Sequence, residues 1–262
     1  MILASTPEDA LTAQKAGVDR IFYDLEYIGK AERQRGRDTV KYHNDINQIP
    51  ALRKVVTTSS LLVRTNPIHA YSEAEVEKAI AYGADILMLP MVMDKHEVEA
   101  YTKYVNGRAR VIIMIETAAA MSRLDDILAI PGVDEVFVGL NDLHISLGLN
   151  FLFEPLAGGL MDFIAAKCWK RGIPFGFGGM ARIGDGILPA EMILGEHVRL
   201  GSSSVILSRT FKGGDSPVAI DFKSEVEKVK LKYIELLACS PELLEENHIR
   251  VKSIVDKIVY HE

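Results

Sequence analysis

The 262-residue sequence has few features of secreted, zinc-stabilised or membrane proteins. Its two cysteines, Cys168 and Cys239, lie far apart and outside any CxxC or Cys/His cluster, so neither a disulfide nor a zinc site is expected. No stretch approaches the roughly 18 uncharged apolar residues of a membrane span, and no basic segment precedes an apolar run at the N-terminus. We therefore expect a cytoplasmic protein.

The sequence also lacks an excess of positive charge. It has 30 Lys and Arg against 36 Asp and Glu, a net charge of −6, and no basic arm. This balance argues against nucleic acid or an anionic membrane surface as the main partner and favours a small molecule. Because no GxGxxG follows the first apolar run, a dinucleotide-binding fold has no direct support.

Short runs rich in Val, Ile, Leu and Phe alternate with segments of helical periodicity, as in buried parallel strands joined by crossover helices. The predicted strands are Met1 to Ala4, Arg20 to Asp24, Leu61 to Arg64, Ile86 to Leu89, Val111 to Ile115, Glu135 to Gly139, Pro174 to Phe177 and Ser204 to Leu207. This order, without a linker or a break in composition, predicts an α/β protein with a (β/α)8 TIM barrel. An open α/β sheet is the alternative.

Helix boundaries carry recognisable local signals. Thr6-Pro7-Glu8-Asp9 predicts an N-cap followed by a proline in the first turn, and Ser72-x-x-Glu75 predicts a capping box. Gly17-Val18-Asp19, Gly83-Ala84-Asp85 and Gly132-Val133-Asp134 each predict a glycine that ends a helix just before a strand.

The chain is expected to form one domain, with the barrel core over residues 1–215 and C-terminal helices over residues 216–262. Phe222 to Ala238 and Pro241 to Tyr260 have helical patterns, and barrel closure needs only one of them. The extra helix either packs on a neighbouring subunit or lies on its own barrel, and the sequence leaves both possibilities open.

Polar residues follow the predicted strands, at the barrel end where active sites of this fold lie. They are Asp24 and Glu26, Arg64 and Asn66, Glu116, Asn141 and Asp142, Gly178 and Gly179, and Arg209. Glu116 and Asp142 follow consecutive strands, and hard carboxylate ligands with room for water suit Mg²⁺ or Mn²⁺. The alternative makes Glu116 an anion at a helix N-cap and Asp142 a turn residue.

Arg64 can hold a carboxylate or an enolate oxygen, or it can form a salt bridge with Asp24 or Glu26. His43 and His144 are the histidines placed near the barrel mouth, as proton carriers or substrate contacts. The other histidines are expected at the surface: His69, His96, His197, His248 and His261. A basic run is predicted to form a solvated face that could attract an anion, and it consists of Lys30, Arg33, Arg35 and Arg37.

Four of these segments resemble the HpcH/HpaI aldolase and citrate lyase β-subunit family of the phosphoenolpyruvate/pyruvate superfamily. Asp24-Leu25-Glu26 is similar to the acidic motif at the second strand, and Val63-Arg64-Thr65-Asn66 to the V-R-x-N motif. Ile115-Glu116-Thr117 resembles the segment with the metal-binding glutamate. Val133 to Leu143, followed by Ser146-Leu147-Gly148, resembles the stretch that carries the metal-binding aspartate.

The resemblance implies a carbon–carbon lyase of the class II aldolase type that acts next to a 2-oxo acid such as pyruvate or oxaloacetate. Glu116 and Asp142 would hold a divalent cation, Mg²⁺ or Mn²⁺, that stabilises an enolate. Arg64 would steady the enolate oxygen, with Asn141 and Asp142 as further substrate contacts. Asp24, Tyr27 and His144 complete the expected catalytic residues, and the family implies a trimer or hexamer that exchanges a C-terminal helix.

Two positions depart from the aldolase pattern. Tyr27 stands where aldolases have a histidine, and tyrosine is a poor general base at neutral pH. Met114 replaces a glutamine two residues before Glu116, and Lys30 resembles a lysine of the citrate lyase branch. The alternatives are therefore a citrate-lyase-like or citrate-synthase-like enzyme acting on a carboxylate or acyl-thioester, and an inactive barrel that serves as a ligand-binding or assembly subunit.

Overall fold

The computed structural model describes residues 1–33, 44–213 and 220–260. Its strands are parallel and follow the closed order of a (β/α)8 barrel from β1 to β8, which confirms the predicted fold; the open sheet is wrong. The strands are β1 (Ile2–Leu3), β2 (Arg20–Asp24), β3 (Ser60–Arg64), β4 (Ile86–Leu89), β5 (Arg110–Ile115), β6 (Glu135–Val138), β7 (Phe175–Met180) and β8 (Ser204–Leu207).

Helices follow the strands through the described residues. They are α1 (Pro7–Lys15), α2 (Lys30–Arg33), α3 (Ile49–Val55), α4 (Ser72–Ala81), α5 (Lys95–Val105), α6 (Ala118–Ser122), α7 (Leu124–Ile127), α8 (Leu140–Ser146), α9 (Glu154–Ala157), α10 (Leu160–Arg171), α11 (Ala190–Leu200), α12 (Phe222–Leu237) and α13 (Pro241–Tyr260). Two 3-10 helices cover Ile46–Gln48 and Arg209–Lys212. Within the described ranges, no helix has both the length and the apolar character required to span a membrane.

The chain divides into two compact units, residues 1–137 and residues 138–262. In the first unit, β2 to β5 pair in register, so that Asp24 lies level with Arg64 and Arg64 with Met88. The side chains of these strands are almost all buried. This register brings the polar residues that follow β2 and β3 to the same edge of the sheet.

Two of the three Gly-x-Asp segments of the first unit end helices as predicted, because Gly17 and Gly83 directly follow the C-caps of α1 and α4. The prediction is wrong for Gly132, which lies in a turn after α7 has already ended at Ile127. Gly17, Gly83 and Gly132 all have positive φ, which a glycine adopts without steric cost. The aspartate after two of them anchors the neighbouring strand: Asp85 accepts from the Leu61 backbone N–H at 2.7 Å. Asp134 does the same for Val111, also at 2.7 Å.

Of the two predicted N-terminal helix signals, one is confirmed and one is wrong. Thr6 caps α1 through its side chain, and Pro7 lies in the first turn. Ser72 is instead the first residue of α4, and its hydroxyl accepts a backbone N–H three residues earlier. Glu75 cannot complete a capping box, because its carboxylate binds Asn66.

In the second unit, β7 is longer than predicted. Gly178 and Gly179, expected after the strand, lie inside it, because a register shift between Gly176 and Gly179 lets pairing with β8 continue. Gly178 has a φ of +56°, and a Cβ at this position would lie 3.0 Å from the Leu140 side chain. The glycine therefore permits close approach of β7 to the start of α8.

Helix α13 packs against α11 of its own chain. The Asn247 side-chain amide donates to the Met192 carbonyl and to Glu196 Oε1, both at 3.0 Å, and His248 Nδ1 lies 2.9 Å from Glu196 Oε2. In this structure the extra helix lies on its own chain. Exchange between subunits stays a prediction.

His197, expected at the surface, is buried between α11 and the sheet. Its ring stacks on Phe177 with centroids 3.8 Å apart, and its Nδ1 lies 2.8 Å from Ser202 Oγ. Nε2 has no hydrogen-bond partner within the described part of the chain. Burial lowers the pKa of His197 to about 3, so the ring is neutral at physiological pH.

The depressed pKa makes His197 a source of acid sensitivity. Since the unfolded chain binds a proton near pH 6.5 and the folded chain near pH 3, stability is full above pH 6.5 and is lost as pH falls. Between pH 7 and pH 5 this linkage removes about 2 kcal/mol of unfolding free energy. Urea unfolding at both pH values should show that His197→Gln loses correspondingly less unfolding free energy between pH 7 and pH 5 than the wild type does. His96→Gln changes an exposed site, so its unfolding free energy should fall between pH 7 and pH 5 by as much as that of the wild type. An equal fall in the wild type, His96→Gln and His197→Gln would refute the assignment of this acid sensitivity to His197.

Candidate active site

The carboxyl ends of β2 and β3 meet in a buried ionic cluster, formed by Asp24, Glu26, Lys30 and Arg64. Arg64 binds Asp24 with two parallel contacts, Nε to Oδ1 at 2.8 Å and Nη2 to Oδ2 at 2.7 Å. Lys30 Nζ contacts the same Asp24 oxygen Oδ2 at 2.7 Å. Glu26 Oε2 lies 3.2 Å from Arg64 Nη2 and 3.4 Å from Lys30 Nζ.

Asp24, Glu26 and Lys30 are 1%, 2% and 7% exposed, so the cluster is shielded from water. Burial alone would raise the pKa of Asp24, but the ion pairs with Arg64 and Lys30 hold that pKa well below its usual value. Burial likewise opposes the charge on Arg64, and the attraction of Asp24 and Glu26 keeps the Arg64 pKa above its usual value. The Arg64–Asp24 pair is therefore ionised at neutral pH.

These contacts settle two of the sequence-based alternatives. The salt bridge between Arg64 and the acidic motif is present. The expectation that Lys30 is solvated is wrong, because its side chain turns inward to the two carboxylates. Arg35, Arg37 and the candidate His43 lie outside the described residues.

One side of the Arg64 guanidinium meets only weak partners. Nη1 lies 3.6 Å from Met114 Sδ, and no other hydrogen-bond partner of Nη1 occurs in residues 1–33, 44–213 and 220–260. A thioether sulfur is a poor acceptor. The guanidinium also lies 5.2 Å from the Phe22 ring centroid. The Nη1 donors can thus serve an anionic oxygen of a bound molecule.

Asn66 joins the loops that follow β2 and β3. Its Oδ1 accepts the backbone N–H groups of Tyr27 and Ile28 at 3.0 and 3.1 Å. Its Nδ2 donates to Glu75 Oε1 at 2.7 Å, and its backbone N–H to Glu75 Oε2 at 3.2 Å. These bonds position the Tyr27 backbone, whereas the Tyr27 side chain is 62% exposed.

Glu116 follows β5 and is buried. Its Oε1 accepts the Met91 backbone N–H at 2.8 Å, and Met91 has the unusual φ of +55°. The helix that follows is capped by Thr117, whose hydroxyl accepts the Ala120 N–H at 2.9 Å, so the N-cap alternative for Glu116 is wrong. The Glu116 carboxylate also contributes to the field that keeps Arg64 charged.

The remaining predicted site residues belong to the second unit, on α8. Asn141 and Asp142 are half-buried in its first turn, so Asp142 is helical rather than part of a connecting turn. His144 is buried, with Nδ1 3.1 Å from the Leu140 carbonyl. Leu140 is the residue against which Gly178 packs.

The predicted metal ligands fit a hard divalent cation in chemical type. Mg²⁺ commonly uses one or two carboxylates and takes its other ligands from water and substrate. Glu116 and Asp142 offer such donors. No group of three or more His, Cys, Asp or Glu side chains suited to a metal occurs among the described residues.

The fold and the ionic cluster define a class: a parallel (β/α)8 barrel with buried, charged side chains at the carboxyl ends of its strands, where barrels of this class bind substrates. The HpcH/HpaI aldolase/citrate lyase family model matches residues 2–151, more than half of the chain. The chain therefore belongs to this family, as the sequence motifs indicated.

Individual relatives are distant. Over 82 residues the chain is 32% identical to a 2-dehydro-3,6-dideoxy-6-sulfogluconate aldolase of Pseudomonas putida, covering 31% of this chain and 32% of the relative. Over 79 residues it is 35% identical to a hydroxypyruvate/pyruvate aldolase of Rhizorhabdus wittichii, covering 28% and 32%. The matched part thus spans about a third of each relative.

A solved HpcH/HpaI aldolase from Desulfitobacterium hafniense has the same fold. Its TM-score is 0.65 at 19% identity, with 87% of this chain and 91% of that chain covered. Coverage of 87% means that this likeness extends into residues 152–262, which the family model does not match.

The sequence missed three contributors to this region. The sequence predicts a solvated position for Lys30 and a capping box for Glu75, and it predicts no role for Met91. For Lys30, the signal in the sequence is its position six residues after Asp24, which resembles that of a lysine in the citrate lyase branch.

Proposed function

We propose that the chain is a divalent-metal-dependent carbon–carbon lyase of the class II aldolase type. It cleaves or forms a bond next to a 2-oxo acid, with pyruvate or oxaloacetate as one component. The observation that carries the proposal is the Arg64 cation, whose side chain is 13% exposed and whose Nη1 donors have Met114 Sδ as their one hydrogen-bond partner among the described residues. Family membership and relatives named as aldolases support the reaction class.

The reaction requires stabilisation of negative charge on one oxygen. In cleavage, a 4-hydroxy-2-oxo acid loses its hydroxyl proton as the C3–C4 bond breaks, and the electron pair moves to C3 and the C2 oxygen. C3 then takes up a proton, giving pyruvate and an aldehyde. Arg64 is the group proposed to donate to the C2 oxygen, because a guanidinium is a strong donor to a developing oxyanion.

The other residues have supporting roles in this proposal. Asp24 orients Arg64 through its two contacts, and Asn66 holds the Tyr27 loop beside it. Asn141 and Asp142 are the proposed substrate contacts on α8, and Tyr27 and His144 the proposed proton carriers. Glu116 and Asp142 would hold the divalent cation, which supplies Lewis-acid activation of a carbonyl when bound.

Exchange of the pyruvate methyl protons in D2O tests the proposal without knowledge of the aldehyde. The protein with Mg²⁺ or Mn²⁺ should deplete the pyruvate methyl signal in proton NMR, and EDTA should stop the exchange. Unchanged exchange in EDTA would contradict the metal dependence, and no exchange with any 2-oxo acid would contradict the function.

The same sample distinguishes the aldolase proposal from the citrate-lyase-like or citrate-synthase-like alternative. Oxaloacetate and citrate are incubated with and without coenzyme A and followed by NMR. Turnover that requires a thioester, with no pyruvate exchange, would favour that alternative. A protein that binds neither Mn²⁺ nor pyruvate would favour an inactive barrel.

A further inference from the structure

Glu75 is a carboxylate near the candidate active site that has no role in the proposed chemistry. It lies in the first turn of α4, and its side chain is 14% exposed. Its oxygens face three nitrogen atoms: Asn66 Nδ2 at 2.7 Å, the Asn66 backbone nitrogen at 3.2 Å and His69 Nε2 at 3.4 Å. Two of these three nitrogens belong to Asn66, the residue that holds the loop after β2.

His69 restricts which side chain can fill position 75. Its Nδ1 accepts the Tyr71 backbone N–H at 3.0 Å, so the ring carries its proton on Nε2, the atom that faces Glu75 Oε2. The Ser72 hydroxyl accepts the His69 backbone N–H at 2.8 Å and ties this residue to the start of α4. Each of the three nitrogens that face Glu75 is therefore a donor, and both terminal atoms of the side chain at position 75 must be acceptors.

The Glu75 carboxylate also decides which way the Asn66 side-chain amide faces. A carboxylate accepts hydrogen bonds and cannot donate them, so the Asn66 NH2 group must lie toward Glu75. Oδ1 is then directed to the backbone N–H groups of Tyr27 and Ile28, which it accepts at 3.0 and 3.1 Å. Turned the other way round, the amide would place its NH2 group against these two donors. Asn66 is buried, so water could not relieve that contact.

We infer that Glu75 is a positioning residue: it sets the orientation of the Asn66 amide and thereby holds the backbone of Tyr27 where proton transfer by Tyr27 requires it. Glu75 acts through Asn66 and does not itself contact substrate. The inference rests on the proposed function, since it assumes that Tyr27 carries a proton. It goes beyond that function by assigning the place of the loop after β2 to one pattern of donors and acceptors.

Three variants reverse this pattern in steps. Glu75→Gln exchanges one acceptor for an NH2 group, which must then face a donor of Asn66 or His69. Asn66→Asp places a second carboxylate oxygen against Glu75. The double variant, Asn66→Asp with Glu75→Gln, restores each bond and keeps the number of carboxylates unchanged. In it, the introduced NH2 group donates to one aspartate oxygen, and the other oxygen accepts from Tyr27 and Ile28.

Two measurements follow the variants: deuterium uptake by the backbone amides of Tyr27 and Ile28, read by mass spectrometry, and kcat and KM for Mn²⁺-dependent pyruvate exchange. Each single variant should exchange these amides at least about tenfold faster than wild type, because they lose hydrogen-bond protection. The kcat should fall about 10- to 100-fold, the cost of a misplaced catalytic group, with KM within about threefold of wild type. The double variant should return uptake and kcat to within about threefold of wild type.

Glu73→Gln is the matched control, because Glu73 lies in the same turn of α4 and is exposed. This variant should leave both amide uptake and kcat unchanged. Near-ultraviolet circular dichroism verifies that each variant is folded.

The outcomes separate the inference from the proposed function. If the single variants keep wild-type uptake, or if the double variant is as impaired as they are, the orientation of Asn66 by Glu75 is refuted. If uptake rises and kcat does not fall, Glu75 anchors the loop without a part in the reaction, and the inference is overturned. If the single variants do not fold, the double variant decides: wild-type uptake and kcat support the inference, and loss of either overturns it.

Wild type that exchanges no pyruvate protons refutes the proposed function, and the catalytic part of the inference with it. Amide uptake, which needs no turnover, still supports or refutes the orientation of Asn66 by Glu75 in that case.

Discussion

Arg64→Met is expected to lower kcat for pyruvate proton exchange by about 10²- to 10³-fold, the usual cost of losing one oxyanion donor. Arg64→Lys should be almost as inactive. A single ammonium cannot bind both Asp24 oxygens and also present donors to a substrate oxygen, as the planar guanidinium can. The KM for pyruvate should rise less than kcat falls, because charge on the C2 oxygen is greatest in the transition state.

Arg20 provides a matched control at the other end of β2. Its guanidinium binds the buried Glu135 with two contacts of 2.8 Å, much as Arg64 binds Asp24. In barrels of this class, the amino ends of the strands contribute to stability rather than to catalysis. Arg20→Lys should therefore lower the urea midpoint yet leave kcat within about threefold of wild type. Equal losses of kcat in the Arg20 and Arg64 variants would mean that both act through folding alone.

Where a strand is a short apolar run between a glycine-terminated helix and a polar loop, local sequence was sufficient to place it. The bounds of β2, β4 and β8 agree with the prediction at both ends. The end of β7 could not be predicted, because Gly178 and Gly179 have no side chains that mark burial. The strand continues there through a register shift and the close fit of Leu140, which are tertiary features.

The site could be predicted to the extent that it depends on strand order. Asp24 and Arg64 end neighbouring parallel strands in the same register, so their pairing follows once β2 and β3 are identified. Lys30 and Glu75 could not be placed, since each reaches its partner through a loop whose path depends on the rest of the fold. Local pattern assigns such residues to the surface or to a helix cap, because those are their commonest positions.

The second large effect is expected from the proposed metal ligands. Glu116→Gln and Asp142→Asn should each reduce Mn²⁺-dependent pyruvate exchange by about 10³-fold or more, because the proposed chemistry depends on Lewis-acid activation of the carbonyl. Glutamine is preferred to alanine at position 116, since its amide oxygen can still accept the Met91 N–H. The strained Met91 backbone then keeps its partner, and only the negative charge is lost.

Glu97→Gln and Asp126→Asn are the matched controls for these two substitutions. Glu97 accepts the Met93 backbone N–H at 2.6 Å, as Glu116 accepts that of Met91, and Asp126 lies in the first turn of α7, as Asp142 lies in that of α8. Both controls should retain Mn²⁺ binding by isothermal titration and near-wild-type exchange. Loss of Mn²⁺ affinity confined to the Glu116 and Asp142 variants would assign both carboxylates to one ion. If Glu116→Gln binds Mn²⁺ and exchanges pyruvate protons like wild type, the ion is held elsewhere. Arg64 must then stabilise the negative charge on the C2 oxygen without a metal ion bound at Glu116.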